Sequence, residues 1–186
     1  MGESRLGCGL GGGLGGVLFD GYQIPGDARL REVQVTSGWY IDSLRLLYSG
    51  PDGEIHGLAL LGGQGGERHQ FRLGEGEWLM GISGRCGIYI DSLRFHTNWR
   101  VSPTYGGPGG DREYLFWAPE GGEVVGFWGR ADWYLDAIGI LVRPALGGGV
   151  GQNVGQAPGV AAQQEPDSGN SRNSSALTPV GSRLTR

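Results

Sequence analysis

The sequence predicts an all-β domain assembled from three repeats of about four short strands each. Three observations carry this. A GGxGG run and a Tyr-x-Asp triplet recur three times in a nearly fixed frame. The segments between them alternate apolar and polar residues, the period of a half-buried strand. Turn residues punctuate those segments, and no amphipathic helix of useful length appears.

The glycine runs occupy 12–16 (GGLGG), 62–66 (GGQGG) and 106–110 (GGPGG). The triplets are Tyr40-Ile41-Asp42, Tyr89-Ile90-Asp91 and Tyr134-Leu135-Asp136. From first glycine to aspartate the offsets are 30, 29 and 30 residues. Each Asp opens an alternating stretch, as in Ser43-Leu44-Arg45-Leu46 and Ser92-Leu93-Arg94-Phe95, with Ala137-Ile138-Gly139-Ile140 in the third copy. Further strands are expected before each Tyr, over 30–35, 77–82 and 123–128. Turns are expected at Pro25-Gly26-Asp27, Pro51-Asp52-Gly53, Gly74-Glu75-Gly76 and Pro119-Glu120-Gly121-Gly122. One such unit cannot bury its apolar face alone, whereas three can share a core within about 130 residues.

Composition bounds the rest. Glycine supplies 40 of 186 residues, yet six Trp and 10% aromatics argue against low complexity over the repeat region. The net charge is −4, and all 15 basic residues are Arg, scattered rather than clustered, so no nucleic-acid footprint is expected. No apolar run is long enough for membrane insertion. The first residues lack the apolar core of a secretory signal, which leaves localisation between the cytoplasm and non-classical export. Met1-Gly2 resembles a myristoylation start, but Leu6 stands where Ser or Thr is required. Cys8 and Cys86 are expected as free thiols, and His56, His69 and His96 share no metal-ligand spacing. No cofactor is expected. Residues 1–11 read as a flexible leader, 12–144 as the folded domain, and 145–186, without a single aromatic, as a disordered tail.

The recurrent residues suit a polyhydroxylated ligand. A carboxylate offers about four acceptor positions and can take two neighbouring hydroxyls at once. A GGxGG loop lets a ligand approach the backbone, whose N–H groups can meet ligand oxygens. Trp39-Tyr40 and Trp133-Tyr134 offer walls for apolar C–H faces, with Ile88-Tyr89 in the middle copy. A phosphate loop is excluded because strands surround the glycines and the chain has no Lys. Each signal alone has a bland reading, since glycine runs make turns and surface aspartates cap them. Their joint recurrence favours binding.

The pattern of GGxGG followed about 30 residues later by Gly-x-Tyr-Ile/Leu-Asp resembles the jacalin-related lectins. Residues 133–139 (WYLDAIG) are the stretch most similar to that family's sugar-binding loop. The resemblance spans 12–144 and implies a β-prism I fold: three four-stranded Greek-key sheets about a pseudo-three-fold axis. It implies a multivalent, non-enzymatic lectin whose partners are mannose-type oligosaccharides or glycoproteins. Galactose-specific members expose a new N-terminal glycine by cleavage, whereas an uncut leader precedes Gly12 here, so mannose or glucose is favoured. All three copies keep the acid, as in the members with three mannose sites. A homodimer stays open, because related prisms dimerise in several ways.

The resemblance also assigns residues. The first site combines Gly38, Trp39, Tyr40 and Asp42 with Gly62, Gly63, Gly65 and Gly66. The second combines Ile88, Tyr89 and Asp91 with Gly106, Gly107, Gly109 and Gly110. The third combines Asp132, Trp133, Tyr134, Leu135 and Asp136 with Gly12, Gly13, Gly15 and Gly16, closing the ring from the other end of the chain. Two departures bear on equality. The second copy lacks the extra aromatic. The third has Asp132 where the pattern has glycine, which is expected to disturb the loop backbone. A structural β-prism without sugar affinity is the alternative. A glycosidase is disfavoured, because three acids related by a three-fold axis sit in separate sites rather than as a carboxylate pair.

Overall fold

A computed structural model describes residues 11–145, and all of its regular structure is β. In chain order the strands are β1 (Gly11–Gly12), β2 (Val17–Gln23), β3 (Arg29–Ser37), β4 (Ile41–Ser49), β5 (Ile55–Gly57), β6 (Leu61–Gly62), β7 (Glu67–Arg72), β8 (Leu79–Cys86), β9 (Ile90–Thr97), β10 (Tyr105–Gly106), β11 (Arg112–Trp117), β12 (Gly122–Ala131) and β13 (Leu135–Pro144).

They form three antiparallel sheets, ordered β5-β4-β3-β7, β10-β9-β8-β11 and β1-β13-β12-β2. In the first, β6 also pairs with β4, so β5 and β6 share one edge and the sheet stays four positions wide. Each sheet is built on a hairpin, β3–β4, β8–β9 or β12–β13. A short strand lies beside the second arm and a longer one beside the first. The link between these outer strands crosses the end of the hairpin, which makes the topology a Greek key. That link is the glycine run, and the hairpin end that it crosses carries the Asp.

The alternation read from the sequence sets the faces. Leu44 and Leu46, Leu93 and Phe95, and Ile138 and Ile140 are buried, while the intervening Arg45 and Arg94 are exposed. The inward faces of the three sheets make one core, in which Phe71 and Phe95 stack with centroids 5.6 Å apart. All three hairpins carry a bulge near the turn, between Thr36 and Ser37, Arg85 and Cys86, and Arg130 and Ala131. A bulge bends the strand and re-aims its side chains. Away from the turns, the buried Arg143 closes the connection from β2 to β3. It donates to Glu123 at 2.8 Å and to the carbonyls of Pro25 (2.9 Å) and Gly26 (2.7 Å), and it also bonds Ala28 O.

The sequence frame and the sheets are out of phase. The repeat period runs from a glycine run to the next Asp, but each sheet joins an Asp to a different run. The third sheet is completed by β1 and β2 from the other end of the chain. Gly11, read from sequence as leader, already pairs with Ile138, and the Ala145 N–H, read as tail, donates to Gly121 O at 3.0 Å. Cys86 is a buried free thiol. Cys8, the rest of the leader and residues 146–186 lie outside the described residues.

Candidate functional site

At the end of the molecule where the hairpins turn, each loop of three residues lies between the bulged strand and the Asp-bearing strand. All three loops close alike: Gly38 N–H donates to Tyr40 O, Gly87 N–H to Tyr89 O, and Asp132 N–H to Tyr134 O, each at 3.0 Å. The glycine positions of this turn, Gly38 and Gly87, do not adopt positive φ, and neither has a tight contact that a side chain would violate. Asp132 therefore closes the same turn without strain. The expected disturbance of the third loop is absent.

Each Asp abuts a glycine run through both its main chain and its side chain. Gly63 N–H donates to Asp42 O (3.0 Å), Gly107 N–H to Asp91 O (2.9 Å) and Gly13 N–H to Asp136 O (2.7 Å). The second glycine of each run thus spends its N–H on the protein rather than leaving it for a ligand. A Cβ on Gly66 would lie 2.6 Å from Asp42 Oδ2, and one on Gly110 2.9 Å from Asp91 Oδ2; Gly16 stands against Asp136 Oδ2 in the same way. Gly65, Gly109 and Gly15 press equally closely on the other carboxylate oxygens. Gly62, Gly106 and Gly12 combine positive φ with a Cβ position blocked by the Asp carbonyl. Three of the four glycines are therefore needed to lay the run across the acid, and the second is held by a neighbouring sheet.

The runs also contact neighbouring sheets. A Cβ on Gly107 would sit 2.7 Å from Trp39 O, and Gly63 and Gly13 are crowded in the same way by the carbonyls of Trp133 and Ile88. The wall residue of each loop thus stands next to the adjacent site: Trp133 at site one, Trp39 at site two, Ile88 at site three. Site two, which sequence leaves with a single aromatic, borders Trp39. Trp39, Ile88 and Trp133 are 76%, 74% and 77% exposed. Tyr40, Tyr89 and Tyr134 instead converge between the three sheets, with ring centroids 5.0, 5.3 and 5.1 Å apart. Leu135 is fully buried and presents no surface to a ligand. A cleft of about 410 Å³ opens between the first two loops, bordered by Trp39, Tyr40, Asp42 and Gly66 on one side and Asp91 and Gly109 on the other.

The three acids are held at a cost. Asp42, Asp91 and Asp136 are only 5%, 6% and 4% exposed, and none forms an ion pair with a described residue. Asp91 Oδ2 and Asp136 Oδ2 are buried and accept no hydrogen bond from any described residue. Burial pushes all three carboxyls above the ordinary carboxylate range. The Gly38 N–H opposes the shift at Asp42, while Gly87 N–H and Arg85 oppose it at Asp91, where Asp111 adds to it. Asp132 adds to it at Asp136, and Arg130 opposes it.

Three arginines escaped the sequence reading. Arg85 donates to Gly109 O (3.1 Å) and Gly110 O (2.8 Å), and Arg130 to Gly15 O (2.6 Å) and Gly16 O (2.9 Å). Arg112 joins Gly12 O (3.0 Å) to Gly87 O (3.1 Å). A signal existed, because Arg85 and Arg130 both stand six residues before their Asp. Among the described residues no group of three His, Cys, Asp or Glu is arranged to hold a metal.

This geometry matches known proteins. The jacalin-like lectin domain model covers residues 8–141. The chain belongs to the jacalin-related lectin family. It is 33% identical to horcolin from Hordeum vulgare over 128 residues, covering 64% of this chain and 86% of horcolin. Among solved structures it resembles Malaysian banana lectin, with a TM-score of 0.66 and 27% identity, covering 76% of this chain and 100% of that one. It also resembles a mannose-binding jacalin-related lectin from Ananas comosus, with a TM-score of 0.63 and 30% identity, covering 75% and 98%. The three sheets are accordingly those of a β-prism I, and the family is one of carbohydrate-binding, non-enzymatic lectins.

Proposed function

We propose that this lectin binds mannose- or glucose-type glycans through three sites, each formed by one acid and the glycine run laid across it. The glycine runs alone do not carry this reading, because the protein needs every one of those glycines for its own packing. The observation that carries it is the triple retention of a buried carboxylate that no described cation pairs with, two of the three also holding an Oδ2 without a described donor. Such a group costs stability, and a neutral residue of the same shape would relieve that cost. A repeated fold has no packing reason to keep it in all three copies. Vicinal sugar hydroxyls supply the donors that the carboxylates lack, and charged acceptors make the stronger hydrogen bonds. The mannose specificity named for the relative from Ananas comosus supports the choice of sugar.

Sites one and two open into a common cleft with Trp39 at its edge. This favours an oligosaccharide over a single sugar. Weak individual sites on one rigid domain gain on branched glycans, by on the order of 10²–10⁴ in avidity where the geometry permits. The test is a glycan array followed by calorimetry, with wild type beside the Asp42→Ala, Asp91→Ala and Asp136→Ala variants and their combination. Loss of mannan binding in the folded triple variant is expected. Binding retained by that variant removes the site assignment, and a blank array for wild type leaves a structural prism.

A further inference from the structure

The three copies form an internal comparison, because the residue six positions before each Asp differs. It is Arg85 in the second hairpin and Arg130 in the third, but Thr36 in the first. All three stand at the bulge beside the turn, where side chains are re-aimed. Each arginine reaches two consecutive carbonyls of the glycine run crossing its own sheet, Gly109 and Gly110 or Gly15 and Gly16. Arg85 is itself braced by Glu113 at 2.8 Å. Thr36 is turned to Ser43, with its hydroxyl 2.6 Å from the Ser43 hydroxyl, and no described side chain donates to Gly65 O or Gly66 O.

We infer that Arg85 and Arg130 are positioning residues that lock the glycine runs of sites two and three into their ligand-receiving geometry, and that site one, with Thr36, has an unlocked run. The inference rests on the lectin reading only where sugar affinity is concerned. The peptide unit is planar, so fixing a carbonyl fixes the N–H on the far side of the same plane. Pinning Gly109 O and Gly110 O therefore aims the N–H groups of Gly110 and Asp111, and Arg130 does the same for Gly16 and Val17. Glycine runs have more backbone freedom to lose than any other sequence, so a preformed run spares a ligand that entropy. A guanidinium suits the task, since its planar fork spans two acceptors where an ammonium acts as a point charge. The two locked sites are also the two whose Asp Oδ2 is buried without a described donor. Arg112, linking Gly12 to Gly87, ties these two sites to each other and has no counterpart bond at site one among the described residues.

Two measurements test this, one without sugar. Amide hydrogen exchange on the full chain should show residues 109–111 and 15–17 protected, and 65–67 exchanging faster. Arg85→Thr should bring 109–111 to the rate of 65–67, and Thr36→Arg should slow 65–67. Equal exchange in all three runs, or none of these changes, overturns the lock. The second measurement is calorimetry with methyl α-mannoside in backgrounds where two of the three Asp are changed to Asn. Arg85→Thr in the Asp42→Asn/Asp136→Asn background should weaken site two about tenfold, the scale of losing charge-assisted hydrogen bonds. Arg85→Lys should restore the charge beside Asp91 and Asp111, and with it the pH dependence of binding, but not the full affinity. Unchanged affinity in Arg85→Thr, where Asp91→Asn abolishes binding, overturns the positioning role and leaves the lectin reading intact. Exchange behaviour as expected with no sugar bound by any background overturns the lectin reading and leaves the lock.

Discussion

The backbone N–H of Gly63 donates to the carbonyl of Asp42 at 3.0 Å, while Gly65 and Gly66 press on that residue's carboxylate. Loop and acid are thus one unit. A single methyl in the run should disable one site. Gly65→Ala places its Cβ inside contact distance of Asp42 Oδ1 and so displaces either the run or the acid. We expect loss of binding at site one and a stability cost of about 1–3 kcal/mol, typical of overpacking. Urea denaturation and calorimetry check both. Undiminished binding in the Asp91→Asn/Asp136→Asn background would show that the run is free to yield.

Neutralising the acids should separate stability from binding. Asparagine keeps the shape of Asp42, Asp91 and Asp136 and removes the buried charge. The triple Asp→Asn variant is expected to match or exceed the wild type in stability, by about 0.5–2 kcal/mol, the range in which relieving a functional compromise usually falls. Its sugar binding should be lost. A variant destabilised by several kcal/mol at neutral pH would mean that the carboxylates serve the fold rather than a ligand.

How far the sequence carried these conclusions depended on whether a feature was local. Strand alternation at Leu44, Leu93 and Ile138 and the turn residues were legible because side-chain period and turn chemistry are local properties. The pairing of Asp136 with the run at 12–16 was reached through the family resemblance, since it joins opposite ends of the chain. The role of the tyrosines was legible in part. Neighbours in a strand point to opposite faces, so one of each pair turns to the scaffold; that it is Tyr40, Tyr89 and Tyr134, packed on one another across three sheets, depends on non-local contacts. The same non-local packing sets the Trp39 carbonyl against the glycine run of the second site and the Trp133 carbonyl against that of the first. Asp132 closes its turn as glycine does because Gly38 and Gly87 have no positive φ, and a glycine in a pattern does not by itself reveal whether its backbone needs one.

Acidification should move binding and part of the stability in opposite directions. Burial raises the folded-state values of Asp42, Asp91 and Asp136 above the ordinary 3.8. The folded chain therefore holds these protons more tightly than the unfolded chain does, and their contribution to stability grows as pH falls through the raised values. Protonation removes acceptor capacity, so sugar affinity should decline over the same interval. Glu77 runs the other way. Burial alone would raise it, but Arg100, the Gly74 N–H and the Thr97 hydroxyl hold it below 4.5. Its stabilisation is complete above the unfolded value and is lost as pH falls through the lowered one. The stability advantage of the triple Asp→Asn variant should shrink on acidification, and wild-type affinity should fall before the fold does. Affinity flat from about pH 7 to about pH 4 would contradict the carboxylate's role.

Trp39 separates wall from scaffold. Its side chain is 76% exposed and projects from the turn beside the cleft shared by Asp42 and Asp91, so it holds little of the fold together. Trp39→Ala should change stability by no more than about 0.5 kcal/mol, as for surface positions generally. It should leave methyl α-mannoside binding nearly intact, because the acids and the glycine runs are untouched. Mannotriose is larger, and if it fills the cleft it meets the apolar face of the indole, so its affinity should drop several-fold. The same substitution at Trp133 should act on the other side of site one, and Ile88→Ala should have the smallest effect, having the least surface to lose. Equal losses for the mono- and trisaccharide in Trp39→Ala would place the indole in the primary pocket instead of at the cleft edge. An unchanged trisaccharide affinity would mean that the cleft is not part of the binding surface.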